Sequence, residues 1–187
     1  MFAVMAAVLP ARFAGAASGP EVVAVHEGTN QLSLGEHAVL AVRARRENYN
    51  AHSFDLVSFY FVDKRQAGGE LNLMPFFGSA QDKEKERDGI TVGGGADCLL
   101  RDFRVVQAAG KRPAQLIVAE RDFGSSYIAR ETVRFTYYEL TQNADGLPGW
   151  PPLYFQAYRK RQSREKYCDV NLAFDRELHL GKASNTD

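Results

Sequence analysis

Signatures of catalysis are absent from this chain. It contains no Gly-x-Ser-x-Gly nucleophile elbow, no glycine-rich phosphate loop and no Cys-x-x-Cys pair. It has four histidines, and none belongs to a His-x-His or His-Glu-x-x-His arrangement that would seat zinc. These absences argue against the common hydrolase, nucleotide-binding and zinc-dependent classes. We therefore expect a protein that is not an enzyme and that uses neither a metal nor a cofactor.

The chain also lacks net charge and long apolar runs. Its 23 basic and 23 acidic residues give a formal net charge of zero. Without net positive charge there is no global field to attract nucleic acid or an anionic membrane. No stretch after the N-terminus approaches the ~20 apolar residues of a membrane span. We expect neither nucleic-acid binding nor membrane insertion.

The N-terminal segment and the two cysteines indicate export. Residues 1–17 pass from a short apolar run into small residues, as the end of a secretory signal peptide does, although no Lys or Arg precedes that run. A flexible N-terminal tail is the alternative. Cys98 and Cys168 are the pair that one disulfide requires in an oxidising compartment. We expect them to be bridged in a secreted protein.

A gapless internal repeat is the strongest indication of the fold. A repeat of this kind predicts two copies of one supersecondary unit that stack to share a core. We expect one domain over residues 20–180, with halves at about 20–95 and 96–180, and a flexible tail at 181–187. At a shift of 76 residues the aligned pairs are Leu40 with Leu116, Val42 with Val118, Arg45 with Arg121, Val57 with Val133, Phe59 with Phe135 and Pro75 with Pro151.

Alternation of apolar residues predicts antiparallel strands in both halves. It places Val57, Phe59 and Phe61 on one face, and the repeat predicts the same of their counterparts in the second half. The fold class is therefore mainly β and sandwich-like, with residues 27–30 as a turn and residues 82–95 as a surface loop. The expected strands cover 22–25, 38–43, 56–62, 97–106, 115–119, 133–138 and 153–158.

A short helix is expected to end the domain. Asp169 is a suitable N-cap, and apolar residues follow it at helical spacing over about 170–179. The expected stripe consists of Val170, Ala173, Phe174 and Leu178.

Two polar segments between paired strands are the best candidates for a binding site. Arginine can hold a carboxylate in a fork while amide and hydroxyl groups add neutral hydrogen bonds. The alternative is structural: Arg45 and Arg121 share a repeat position and would fix each hairpin by pairing with Asp102 or Asp122. The candidate ligand-binding residues are Arg45, Asn48, Asn50, His52, Arg121, Ser125 and Tyr127.

Three other patterns are weaker. Ser163-x-x-Lys166 has the spacing of serine β-lactamases without their other motifs, which favours a solvated loop. The basic segment 159–166 can meet an acidic partner, although such runs are usually solvated faces. Asp97, Asp102 and Asp169 carry oxygen ligands suited to Ca²⁺, but their spacing does not resemble an EF-hand.

Four stretches resemble the CarG-like family of carbapenem intrinsic resistance proteins. They cover residues 45–55 leading to Phe59 and Tyr60, residues 95–104, residues 135–140, and residues 167–170 with Ala173 and Phe174. The resemblance implies a periplasmic protein that protects bacteria without hydrolysing the drug. Its partner would be either the carbapenem or a cell-wall transpeptidase, and the resemblance transfers no site residues.

Two other functions stay open beside this one. A secreted hydrolase would assemble its site around His52, Arg45 and Asp102. An envelope adaptor would bind a protein partner through residues 159–166. Homodimer formation also stays open.

Overall fold

Strands dominate the computed structural model, which describes residues 21–63, 69–79, 86–107 and 114–181. The predicted signal peptide, and all of the predicted tail except Gly181, lie outside the described residues. In chain order the elements are β1 (Glu21–Val23), β2 (Gly28–Leu34), β3 (His37–Arg46), β4 (Phe54–Asp63), β5 (Glu70–Leu73), β6 (Phe76–Phe77), β7 (Glu86–Arg87), β8 (Ile90–Gly94), β9 (Leu99–Gln107), β10 (Gln115–Arg121), β11 (Glu131–Gln142), β12 (Leu153–Tyr167) and α1 (Val170–Leu178).

The strands form two layers joined by β8. The first layer has the order β2-β3-β4, and β5 also pairs with β4. The second has the order β9-β10-β11-β12-β6-β7, and β1 pairs with β9. In β8, residues 90–92 pair with β4, whereas Gly93 and Gly94 pair with β9. A strand that changes sheets in this way forms a corner of a sandwich, which confirms the predicted mainly β, sandwich-like domain.

The two layers enclose the principal core. Its centre is Phe59 of β4, which is fully buried. The Phe59 ring lies edge-on to the rings of Phe76, Phe103 and Phe155, at centroid distances of 5.8, 6.3 and 5.2 Å. Edge-to-face pairs of this kind add to the stabilisation that burial of the rings already provides.

The two repeated halves stack front to back, which means that opposite faces of the two copies meet in the core between the sheets. In the first half, Phe59 faces the core between the sheets, but its counterpart Phe135 faces α1 on the other side of the second sheet. The reverse holds for Leu40, which is half-buried on the outer face, and its counterpart Leu116, which faces the inter-sheet core. The two halves therefore share a core, as predicted, but they do so through opposite faces: the second sheet turns the face of Leu116 toward the first sheet and the face of Phe135 toward α1.

The register between the two hairpin strands differs by two residues between the halves. β3 pairs Val39 with Phe61, and the repeat shift would pair Gln115 with Tyr137. Gln115 pairs instead with Glu139. An even offset keeps each side chain on its own face, since strand side chains alternate with a period of two.

The predicted helix α1 is present, and it covers the outer face of the second sheet. Asp169 caps it by accepting a hydrogen bond from the Asn171 amide at 2.7 Å. Phe174 is fully buried against Phe135, with ring centroids 5.6 Å apart. The predicted disulfide is also present: the sulfur atoms of Cys98 and Cys168 are 2.09 Å apart. It ties the start of α1 to the start of β9.

A buried polar network holds the start of α1, and Gly181 beyond the helix, on β9. The Arg104 side chain has no exposed surface, and its guanidinium donates to Asp102 at 2.7 Å and to Asn171 Oδ1 at 2.6 Å. It also donates to the carbonyl of Gly181 and lies 4.4 Å from the centre of the Phe174 ring. Burial of a cation is tolerable only with partners of this kind.

Three local predictions are wrong. Residues 28–30 begin strand β2 rather than forming a turn, and Gly93 and Gly94 lie within β8 rather than in a surface loop. Ser163 lies within β12, where the strand bulges. Its hydroxyl accepts from the Val133 amide and donates to the Glu165 carbonyl, so a buried hydrogen bond replaces the expected solvation.

Candidate functional site

The polar segments of the two halves meet at one end of the sandwich. His52 belongs to the β3–β4 connection, residues 47–53, and Tyr127 belongs to the β10–β11 connection, residues 122–130. Their rings stack with centroids 4.5 Å apart and planes inclined by 21°. The Tyr127 ring also lies edge-on to Phe123 at 4.8 Å. The predicted residues His52 and Tyr127 are thus brought together by long-range packing.

A cleft of about 280 Å³ opens beside this stacked pair. We call it the junction cleft. Its lining residues are His52, Phe54, Thr91, Gly93, Gly94, Leu100, Arg101, Arg121 and Tyr127.

Two glycines allow aromatic residues to approach the backbone of this site closely. A Cβ atom added to Gly93 would lie 2.9 Å from the Cβ of Phe54, and one added to Gly95 would lie 2.8 Å from the Cβ of Tyr127. A second cleft of about 500 Å³ shares Phe54, Gly93 and Gly94 with the junction cleft and is lined partly by Arg45.

The loop 47–53 is built by its own polar side chains. Asn48 Nδ2 donates to the His52 carbonyl at 3.0 Å, and Asn50 Oδ1 accepts from the His52 amide at 2.8 Å. The predicted residues Asn48 and Asn50 therefore position His52. Tyr49 has φ 55° and is 94% exposed at the tip of the loop.

Glu47 is the hub of this loop. Its carboxylate accepts hydrogen bonds from the Ser53 hydroxyl and from the Tyr49 amide, the latter at 2.8 Å. Arg45 donates to it at 3.2 Å and lies 4.0 Å from Asp55. These bonds, that from Ser53 above all, lower the pKa of Glu47 from 4.5 to about 2.

We expect the loop to lose this support only in strong acid. Because the pKa of Glu47 is lower in the folded loop, its stabilising contribution is complete above pH 4.5 and is lost as the pH falls through about 2. The amide NMR signal of Tyr49 should report a transition with a midpoint near 2, and Glu47→Gln should abolish it. Glu36→Gln, an exposed matched change in another turn, should leave it intact. A midpoint near 4.5 in the wild type would contradict the assignment.

Arg121 anchors the loop of the second half. It is 5% exposed and donates to the carbonyls of Cys168, Asp122 and Tyr127, the Asp122 contact at 2.8 Å. It lines the junction cleft while holding the backbone at Tyr127. Ser125, also predicted as a ligand-binding residue, is exposed and does not line the cleft.

Asp102 lies away from these residues. Its carboxylate pairs with Arg104 on the face of β9 that α1 covers, so the expected pairing of Arg45 or Arg121 with Asp102 is wrong. Within the described residues, His52 forms no ion pair with a carboxylate. Among those same residues no three of His, Cys, Asp and Glu lie close enough to hold a metal ion.

A group of arginines at the cleft was missed in the sequence. We call Arg87, Arg101 and Arg134, gathered around Glu120, the arginine cluster. The distances from their guanidinium nitrogens to the Glu120 carboxylate are 3.2, 2.7 and 3.6 Å, respectively. The sequence pointed to this cluster only through Glu120, a charged residue that shares one face of β10 with the apolar residues Leu116 and Val118.

Comparison with known proteins identifies a similar fold. No family model and no curated protein matches the sequence. Among solved structures, the crystal structure of CarG superposes with a TM-score of 0.64 at 19% sequence identity. The match covers 89% of this chain and 99% of that chain, which shows a CarG-like fold. In the described part of the chain, no helix has the length and hydropathy that crossing a bilayer requires.

Proposed function

We propose that this protein protects a bacterium against carbapenem antibiotics in the periplasm, and that it does so by binding rather than by hydrolysis. The observation that carries the proposal is the CarG-like fold, which extends over 99% of the matched CarG chain. Two of the stretches that resemble the CarG-like family, residues 45–55 and 95–104, supply His52, Phe54, Leu100 and Arg101 to the junction cleft.

The disulfide supports the proposed location. Bridges such as Cys98–Cys168 form and persist in oxidising compartments, including the bacterial periplasm. The apolar N-terminal segment of the sequence agrees with export to that compartment.

The chemistry of the junction cleft favours binding. Aromatic and apolar side chains line the cleft beside the cation of Arg101, and this combination suits a small anionic molecule. A hydrolytic role for His52 would need a partner that orients its imidazole, and its ring is stacked on Tyr127 instead. The volume of the cleft suits a small molecule, so we propose the antibiotic itself as the ligand.

The basic segment 159–166 supports an adaptor role less well. It forms part of β12, and several of its cations have partners within the chain. The Arg159 guanidinium lies 5.2 Å from the centre of the Tyr137 ring, and Arg161 pairs with Glu177 at 2.9 Å. Lys166 pairs with Glu131 at 3.3 Å.

The test is carbapenem survival of a susceptible bacterium that exports the protein, with drug concentration measured in the same culture. We expect survival to rise while the drug stays intact. His52→Ala combined with Tyr127→Ala should remove the protection, and His37→Ala, a matched histidine change elsewhere, should not. Loss of drug would overturn the non-hydrolytic role, and unchanged survival would overturn the function. Protection without drug binding by the purified protein would point to the transpeptidase.

A further inference from the structure

Within the described residues, the arginine cluster has more positive than negative charge. Glu120 lies between two arginines in a row across three strands, since it pairs in register with Arg101 of β9 and with Arg134 of β11. Arg87 reaches the same carboxylate from β7 and also donates to the Tyr138 hydroxyl at 2.6 Å. Among the described residues, Glu120 is the one carboxylate that pairs with these three guanidinium groups.

The arginines are accessible, whereas their shared carboxylate is largely covered. The side chains of Arg87, Arg101 and Arg134 are 28%, 37% and 45% exposed, and that of Glu120 is 13% exposed. A guanidinium has five N–H donors. The single carboxylate of Glu120 can therefore accept from only a few of the donors that the three arginines carry. Within the described residues, the positive charge that Glu120 does not balance is therefore partly exposed to solvent.

The cluster continues into the junction cleft. Arg101 belongs to both, because it pairs with Glu120 at 2.7 Å and also lines the cleft with His52 and Tyr127. One small molecule in the cleft can therefore meet an aromatic wall and a guanidinium at the same time.

We propose that the arginine cluster binds the carboxylate of a small organic acid whose apolar body lies in the junction cleft. Guanidinium groups recognise carboxylates through charge-assisted, often bidentate hydrogen bonds, and His52, Tyr127, Phe54 and Leu100 line the cleft with aromatic and apolar side chains beside Arg101. The proposal depends on the proposed function only for the identity of the natural ligand. A carbapenem fits the description, because it carries a carboxylate on a compact ring system. Binding of organic acids can be tested without the drug.

The test compares benzoate with benzamide, its uncharged counterpart, by calorimetric titration of the full chain. We expect benzoate to bind at least about tenfold more tightly, because a charged hydrogen bond is worth about that factor. Raising the salt from about 20 to about 200 mM should weaken benzoate binding, since screening reaches partly exposed charges. Equal affinities for the two probes would overturn the proposal.

Variants separate binding from a structural role of the arginines. Arg101→Gln should weaken benzoate binding by about tenfold, and Arg164→Gln, a matched change of an exposed arginine on β12, by less than about twofold. Glu120→Gln should tighten binding by about threefold or more, since it removes the competing carboxylate. A folded Arg101→Gln protein with unchanged affinity would overturn the proposal, as would a folded Glu120→Gln protein without a gain. If Glu120→Gln does not fold, Arg134→Gln should still weaken binding.

A titration with meropenem distinguishes the two proposals. If benzoate binds and meropenem does not, the anion site stands and the drug is excluded as its ligand. If neither binds, the site is wrong, and bacterial survival still decides the proposed function.

Discussion

Replacing Arg104 with methionine is expected to lower the free energy of unfolding by about 3–5 kcal/mol, the range found when one partner of a buried ion pair is removed. The substitution would leave the Asp102 carboxylate in the protein interior without its cation. It would also remove the bonds to Asn171 and to the Gly181 carbonyl, which hold the start of α1 and the segment after it on β9. Urea denaturation, followed by circular dichroism, measures the loss.

Two control variants test whether the loss comes from the unpaired buried charge. Combining Arg104→Met with Asp102→Asn should cost less than Arg104→Met alone, because the unpaired charge is removed together with its partner. Arg176→Gln, an exposed arginine on α1, should change stability by no more than about 0.5 kcal/mol. A loss below about 1 kcal/mol for Arg104→Met would show that the buried pair contributes little.

Removing the disulfide is expected to cost a similar amount, about 4 kcal/mol. The two cysteines are 70 positions apart, and closing a loop of that length restricts the unfolded chain by about this free energy on the chain-entropy estimate. The bridge also fixes Cys168, whose carbonyl accepts a hydrogen bond from Arg121. Cys98→Ala combined with Cys168→Ala should therefore lower the urea midpoint and loosen the loop that carries Tyr127.

Reduction of the wild-type protein provides the matching measurement. A reducing agent should shift the urea midpoint of the wild type about as far as the double alanine variant does, and should leave that variant unchanged. Equal midpoints for oxidised and reduced wild-type protein would show that the bridge does not stabilise the fold.

Local patterns in the sequence predicted the helix and the strands β1, β3, β4 and β9 to β12, but not β2 or β5 to β8. Alternation identified the strands of both hairpins, and the polar cap at Asp169 identified α1. The front-to-back stacking was not predictable, because a repeat shows which residues are equivalent and not which face of each copy meets the other. Thr136 shows the consequence: it is polar, yet it is only 5% exposed, because it lies beside core residue Val118 on the face that meets the first sheet.

The candidate site was predictable in part. His52 and Tyr127 come from segments that correspond in the repeat, so comparison of the halves drew attention to both. Their contact depends on tertiary packing between loops 75 residues apart in the chain, at 4.5 Å. The arginine cluster depends on strand register and on Arg87, which is 33 positions from Glu120. No short sequence motif contains both residues, so their contact could not be predicted from the sequence.

Because the two repeat units stack front to back, the outer faces of the first and the second sheet are not equivalent. At one end α1 closes the outer face of the second sheet over Phe135. At the other end the outer face of the first sheet keeps Leu40 half-buried and Val62 40% exposed, at the positions that hold core residues Leu116 and Tyr138 in the second half. An additional copy of the repeat unit would thus fit before the first half and not after the second. A protein engineer who lengthened this domain would have to add sequence on its N-terminal side.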